Sequence, residues 1–215
     1  MSLKKNKTPH SNQKRQIGLY FGTFNPIHVG HLTIANHMVE FGGLDEVWMV
    51  VTPHNPHKKK SSLLDNHHRI AMVDIALEHY PKIKSSKIEF DLPQPNYTVH
   101  TLAVLEEKYP EQQFCLLMGE DNLKSLHKWK NYEVILERYP IYVYPRISKN
   151  EDTPSASLKS ERKVTANTPN IHLIKAPIME LSSTFIRKGI KNGKNIRPML
   201  PQHVWEYLDE MNFYR

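Results

Sequence analysis

Six apolar runs bounded by turn residues alternate along the chain with stretches whose apolar positions recur at helical spacing. The runs are 17–22 (IGLYFG), 46–51 (EVWMVV), 87–92 (KIEFDL), 113–119 (QFCLLMG), 141–145 (IYVYP) and 171–176 (IHLIKA). Several are almost continuously hydrophobic, as strands buried on both faces are. Between them, VGHLTIANHMVEF places Leu32, Ala35 and Val39 at i, i+3 and i+7, and HHRIAMVDIALEHY lines up Ile70, Val73, Ala76 and Leu77. YTVHTLAVLEEKYP and NYEVILERYP read as helices that end at a proline. The alternation predicts an α/β domain, a doubly wound parallel sheet covered by helices on both sides. Two C-terminal helices follow. The second opens on Pro201 and carries Val204, Tyr207, Leu208 and Met211 on one face. Residues 147–170 are polar and break the pattern, which predicts a long mobile loop inserted in the domain. No internal repeat is present.

Charge changes this picture only at one end. The chain of 215 residues has a formal net charge of +7. Residues 1–16 hold Lys4, Lys5, Lys7, Lys14 and Arg15 and no acid, so the rest is close to neutral. The segment 1–16 therefore reads as a disordered basic tail and 17–213 as the folded domain. A near-neutral domain surface argues against nucleic acid as the partner. Cys115 is the single cysteine, inside an apolar run, so no disulfide framework exists and a cytoplasmic location is expected. No apolar run reaches membrane-spanning length and no secretory signal follows the basic start, so no membrane partner is expected.

The chemistry concentrates in GTFNPIHVGH, residues 22–31, where the first strand ends. In an open parallel sheet ligands bind beyond the carboxyl ends of the strands. Gly22 and Thr23 would let backbone approach a ligand, Pro26 stiffens the turn, Gly30 keeps access open, and His31 opens the next helix. Two imidazoles, His28 and His31, at a helix N-terminus suit a polyphosphate. Metal chelation by the pair lacks a neighbouring acidic or cysteine ligand, so no resident metal is indicated. A second anion-suited segment is LSSTFIR, residues 181–187. Ser182, Ser183 and Thr184 cap a helix and donate to an anion, with Arg187 one turn on from Ser183. From spacing alone, a plain helix cap with a surface Arg fits equally.

Together, GTFNPIHVGH and LSSTFIR resemble the signature pair of the nucleotidyltransferase superfamily that carries HxGH and [IL]SSTxIR. TPHNPHK after the second strand, YTVHTL at the third helix and MGEDNLKSLHKW after the fourth strand are similar, in order and rough spacing, to bacterial nicotinate-nucleotide adenylyltransferases. The resemblance covers residues 17–213. It implies a Rossmann-like domain, and adenylyl transfer from ATP to nicotinate mononucleotide, giving deamido-NAD and pyrophosphate in NAD biosynthesis. The mononucleotide phosphate attacks in line without a covalent intermediate, and Mg²⁺ is carried by the ATP phosphates. By the same resemblance His28 and His31 are catalytic, holding ATP phosphates and stabilising charge at the α-phosphorus. Gly22, Thr23, Phe24, Gly30, Ser182, Ser183, Thr184 and Arg187 bind ATP. Lys58, Tyr97, Thr98, Gly119, Asp121 and Trp129 bind the mononucleotide. Within that set Trp129 stacks on the pyridine, the Thr98 helix start meets the carboxylate, Lys58 faces the phosphate and Asp121 a ribose hydroxyl.

Two positions depart from the family pattern. Asn25 stands where GTFDP has Asp, and His100 where YTxDTL has Asp, which reads as a capping difference. Arg69 matches a family Arg whose role is left open between a phosphate contact and a helix salt bridge. The rival readings are another nucleotidyltransferase of the superfamily, such as pantetheine-phosphate adenylyltransferase, and a non-enzymatic nucleotide- or RNA-binding module using the basic tail. A homo-oligomer is left open.

Overall fold

The computed structural model describes residues 14–53, 63–145 and 168–215. Six strands run parallel in the order β3-β2-β1-β4-β5-β6. They are β1 (Arg15–Gly22), β2 (Glu46–Val51), β3 (Ile83–Ser86), β4 (Gln112–Gly119), β5 (Ile141–Tyr144) and β6 (Ile171–Leu173). The helices are α1 (Val29–Glu40), α2 (Asn66–Leu77), α3 (Thr98–Lys108), α4 (Glu120–Ser125), α5 (Tyr132–Arg138), α6 (Ser183–Lys191) and α7 (Gln202–Glu210). The strand order reverses between β1 and β4, which opens a crevice at their carboxyl ends. The doubly wound parallel sheet expected from the pattern is the one observed.

The sheet is buried on both faces because both side-chain sets of its central strands are apolar. Tyr20, Val47, Met49, Val51, Cys115 and Leu117 pack with α1, α2 and α7 through Leu32, Met38, Met72, Val73, Val204 and Leu208. Ile17, Leu19, Val50, Phe114, Leu116 and Met118 pack on the other side with Leu102 and Leu105 of α3 and Ile135 of α5. Cys115 is buried, and burial pushes its thiol up to about 12, so it is an inert core residue.

Four expectations change. β1 begins at Arg15, pairing Arg15 with Gln112 and Gln16 with Gln113, so both residues belong to the sheet and not to the tail. Arg15 earns this place through buried Glu46, whose carboxylate accepts from Arg15 Nη2 and Lys84 Nζ, each at 2.8 Å. The third strand is Ile83–Ser86, and 88–90 of the expected strand form a 3₁₀ turn. An edge strand needs only one buried anchor, here Ile83, so its polar sequence hid it. β6 leaves the ladder after Leu173, short of the expected Ala176. On α7, Val204 and Leu208 are buried whereas Met211 lies past the helix end and is exposed. Residues 1–13 of the expected tail and 146–167, most of the expected loop, lie outside the described residues. Among the described residues no helix is long and apolar enough to cross a membrane.

Candidate active site

The loop from β1 to α1 is built around Phe24, which adopts φ +43°. A bulky residue there costs about 1–3 kcal/mol and is held only by its surroundings. Its ring is buried edge-on to Tyr20 and to His31, with centroids 6.0 and 5.1 Å away. It also covers Gly22, where a Cβ would lie 2.8 Å from the ring. Gly22 is therefore small to admit Phe24, a reason within the fold and different from the expected approach of a ligand. Gly30 is small for a similar reason. A Cβ there would lie 3.1 Å from His28 Nδ1 and 3.6 Å from Leu181 Cβ.

His28 is the buried N-cap of α1 and His31 its third residue. Their rings stack at 3.6 Å and 23°. The backbone N–H of His28 donates to His31 Nδ1 at 3.2 Å. An accepting Nδ1 carries no proton, so the neutral ring keeps its N–H at Nε2 as a donor. The first turn of α1 contains no acid, which leaves the positive end of its dipole uncompensated by the helix itself.

LSSTFIR forms the start of α6 and lies against this loop. Ser182 is the N-cap, and its Oγ accepts from Phe185 N at 3.2 Å, a cap worth about 1 kcal/mol. Ser183 Oγ donates to Pro26 O at 2.8 Å. Arg187 Nη1 donates to Asn25 O at 2.8 Å, and its Nη2 to Thr184 Oγ1 at 3.3 Å. The two motifs are thus one unit, although more than 150 residues separate them. Ser182 caps the helix as expected, and an Oγ that accepts keeps its O–H to donate, whereas Ser183 gives its O–H to the histidine loop. Thr184 is exposed at the first turn.

Asn25 is 3% exposed, and its Oδ1 accepts from Leu64 N at 3.2 Å and from the Tyr214 hydroxyl at 2.5 Å. An amide oxygen accepts as a carboxylate would without placing a negative charge beside an anion site. Arg69 resolves the choice left open by the sequence, and it takes neither role. It is fully buried and donates to the carbonyls of Thr23 and Thr52 at 2.8 Å, Leu64 at 2.9 Å and Pro53 at 3.2 Å, and to Asn66 Oδ1. It ties the ends of β1 and β2 to the start of α2. Burial pushes its guanidinium down to about 10, opposed by Tyr214 and Asp65, so it stays charged at neutral pH.

On the β4 side, Gly119 caps α4 and leaves room for Asp121. A Cβ at 119 would lie 2.5 Å from Asp121 Oδ1 and 3.3 Å from the Tyr144 ring. Tyr144 and Tyr20 share a hydrogen bond of 3.0 Å between their hydroxyls, and Tyr20 stands edge-on to His31. This places Gly119 and Asp121 beside the histidine loop. Tyr97 and Thr98 begin α3, which has no side-chain cap and no acid in its first turn. Lys130 lies 4.5 Å over the Tyr97 ring. Trp129, just before it, is half-buried against the α3 side of the sheet. His100 is exposed and packs edge-on to Tyr97 at 5.6 Å, and with no acid in its first turn α3 starts uncapped, in line with the expected capping difference. Lys58 lies outside the described residues.

Glu89, missed in the sequence, is buried beside the α3 start. It is 2% exposed, and its Oε1 accepts from Thr101 Oγ1 at 2.8 Å. Burial pushes the Glu89 carboxyl up, against the pull of the Thr101 hydrogen bond. Its hydrophobic neighbours Ile88 and Phe90 disguised it as the outward position of a strand. Tyr214 was also missed, since nothing in its local sequence links it to residue 25. Among the described residues no group of three or more His, Cys, Asp or Glu could hold a metal ion.

Residues 19–189 match the family described as cytidylyltransferase-like. The chain is 63% identical over 201 residues to a probable nicotinate-nucleotide adenylyltransferase of Christiangramia forsetii, covering 94% of this chain and 99% of that one. It is 64% identical over 200 residues to a protein of the same description from Flavobacterium johnsoniae, covering 93% and 99%. Its fold is similar to that of Plasmodium falciparum nicotinic acid mononucleotide adenylyltransferase complexed with NaAD, with a TM-score of 0.73 at 20% identity, covering 93% of this chain and 97% of that one. With the histidine loop and the SSTFIR helix joined at the switch point of a parallel sheet, the chain belongs to the cytidylyltransferase-like family and, within it, to the nicotinate-nucleotide adenylyltransferases.

Proposed function

We propose that the chain transfers the adenylyl group of ATP to nicotinate mononucleotide in NAD biosynthesis. A phosphate oxygen of the mononucleotide forms the new bond to the α-phosphorus. The bridging bond to the β-phosphate breaks, and pyrophosphate leaves with its electron pair. The attacking group is already anionic, so the protein contributes position and charge stabilisation in place of a base. The observation that carries this reading is the joining of the stacked His28–His31 pair to α6 through Ser183–Pro26 and Arg187–Asn25.

His28 and His31, with the start of α1, meet the phosphates around the α-phosphorus. Thr184 and Arg187 lie on the pyrophosphate side, and Ser182 and Ser183 hold that helix in place. Thr23 and Phe24 shape the loop. Gly119 and Asp121 serve the mononucleotide ribose, Lys58 its phosphate, and Trp129 its ring. The uncapped start of α3 at Tyr97 and Thr98 offers backbone N–H groups to the nicotinate carboxylate. Mg²⁺ would be an ion brought by the ATP phosphates, whose charge it would offset. A single buried cysteine accords with a cytoplasmic setting.

The test is pyrophosphate release from ATP with nicotinate mononucleotide, nicotinamide mononucleotide or phosphopantetheine as acceptor. Turnover is expected with the first. Turnover with phosphopantetheine alone would assign a different acceptor, and none with any acceptor would favour a binding module.

A further inference from the structure

The hydroxyl of Tyr214 donates to Asn25 Oδ1 across 189 residues of sequence, and three observations make this more than a packing contact. First, the acceptor sits at the centre of the histidine loop. Asn25 is 3% exposed, its own carbonyl takes Arg187 Nη1, its side chain also takes Leu64 N, and the next carbonyl, of Pro26, takes Ser183 Oγ. Second, Tyr214 is itself held. Its backbone is at φ +66°, Phe213 N bonds Leu208 O at 3.1 Å, and the Phe213 ring stands edge-on to His68 at 4.6 Å. His68 in turn bonds the Tyr207 hydroxyl at 2.8 Å. Third, Tyr214 lies within electrostatic reach of both Arg69 and Arg187, the guanidiniums that grip the loop from either side. Burial keeps its phenol protonated, so it remains a donor at neutral pH.

We propose that Tyr214 is a positioning residue of the phosphate-binding loop: its hydroxyl clamps Asn25, and through Asn25 sets the placement of residues 23–28 relative to α6. The inference rests on the adenylyl-transfer reading for its substrate. It also accounts for Asn25. With Arg69 and Arg187 already bonded to carbonyls, residue 25 has to supply an acceptor oxygen to Tyr214 and Leu64, and an amide does so without repelling a polyphosphate. Misplacement of such a loop by a fraction of an ångström acts first on turnover and on ATP, whose phosphates the loop meets.

The test compares Tyr214→Phe with wild type, with circular dichroism confirming the fold. Removing the hydroxyl is expected to lower kcat/KM for ATP about 5- to 30-fold, with KM for nicotinate mononucleotide kept within about two-fold. A purely structural bond would instead lower the melting temperature and leave both constants unchanged at 25 °C, and that result overturns the proposal. Asn25→Ala and the double variant complete a cycle. Tyr214→Phe should add almost no loss once Asn25 is gone, whereas fully additive losses would place the action of Tyr214 elsewhere. Should wild type turn over another acceptor, the adenylyl-acceptor reading fails but the same ratios are read with that acceptor. Should it turn over none, the ATP dissociation constant by calorimetry reads the same loss.

Discussion

Arg187 grips the carbonyl of Asn25 at 2.8 Å with Nη1 and the hydroxyl of Thr184 with Nη2. One planar side chain thereby fixes both the loop before the histidines and the first turn of α6. Burial pushes its guanidinium below the ordinary value, against the pull of Tyr214. Arg187→Ala should lower kcat/KM for ATP about 10- to 100-fold, the cost of a charged hydrogen-bonding group. Arg187→Lys should restore only part, since an ammonium cannot hold both acceptors in the same fork. Unchanged ATP constants in both variants would remove Arg187 from the ATP side.

The stacked histidines call for a kinetic test that spares the fold. His31→Ala should cost about 10²–10³ in kcat, as for one preorganised donor at a developing charge. His31→Asn should recover a fraction, because a side-chain amide supplies a donor. His28→Ala removes a buried ring that Gly30 was kept small to admit, so it should lose stability as well as turnover. Near-wild-type kcat in His31→Ala, measured by pyrophosphate release, would separate the residue from the chemistry.

Glu89 predicts a pH dependence. Its folded value is raised above its unfolded one, mainly by burial. Its contribution is therefore present below the ordinary Glu range and is lost as pH rises through the folded value. Glu89→Gln keeps the acceptor for Thr101 and never ionises. Urea midpoints from about pH 4.5 to about pH 8 should show wild type losing stability relative to Glu89→Gln as pH rises. A constant gap between the two would mean that Glu89 does not titrate there.

How far the sequence reached differs by element. The central strands were legible because burial on both faces makes them hydrophobic at every position. β3 was not, because an edge strand anchored by Ile83 shows no such run, while Ile88, Glu89 and Phe90 imitate alternation and form a 3₁₀ turn. The two signature motifs were readable as phosphate-suited, and the histidine pair stands where a helix start was expected. Their joining was invisible, since Ser183–Pro26 and Tyr214–Asn25 are contacts between distant segments. Local chemistry could not distinguish a serine that caps or braces from one that meets a ligand. For the same reason Arg69 was left between a phosphate contact and a helix salt bridge, and only the convergence of four backbone carbonyls on it reveals a brace.

Trp129 is half-buried on the α3 side and follows the 3₁₀ turn 126–128. If its exposed part meets the pyridine, Trp129→Ala should lower kcat/KM for nicotinate and nicotinamide mononucleotides together, about 10-fold or more, because stacking serves either ring. Their ratio should change far less. A variant that changes the ratio and spares the sum would place Trp129 at the carboxylate.

Whether a carboxylate-bearing acceptor is held at the uncapped start of α3 is read from the wild-type ratio of kcat/KM for nicotinate over nicotinamide mononucleotide at saturating ATP. Backbone N–H groups at a helix N-terminus donate to a carboxylate and confront the NH₂ of an amide donor to donor. A lost charge-assisted hydrogen bond with an unpaired donor is worth roughly 2–4 kcal/mol, so the ratio should be about 30 to 1000 in favour of the acid. Equal values for the two mononucleotides, or a preference for the amide, would contradict the account.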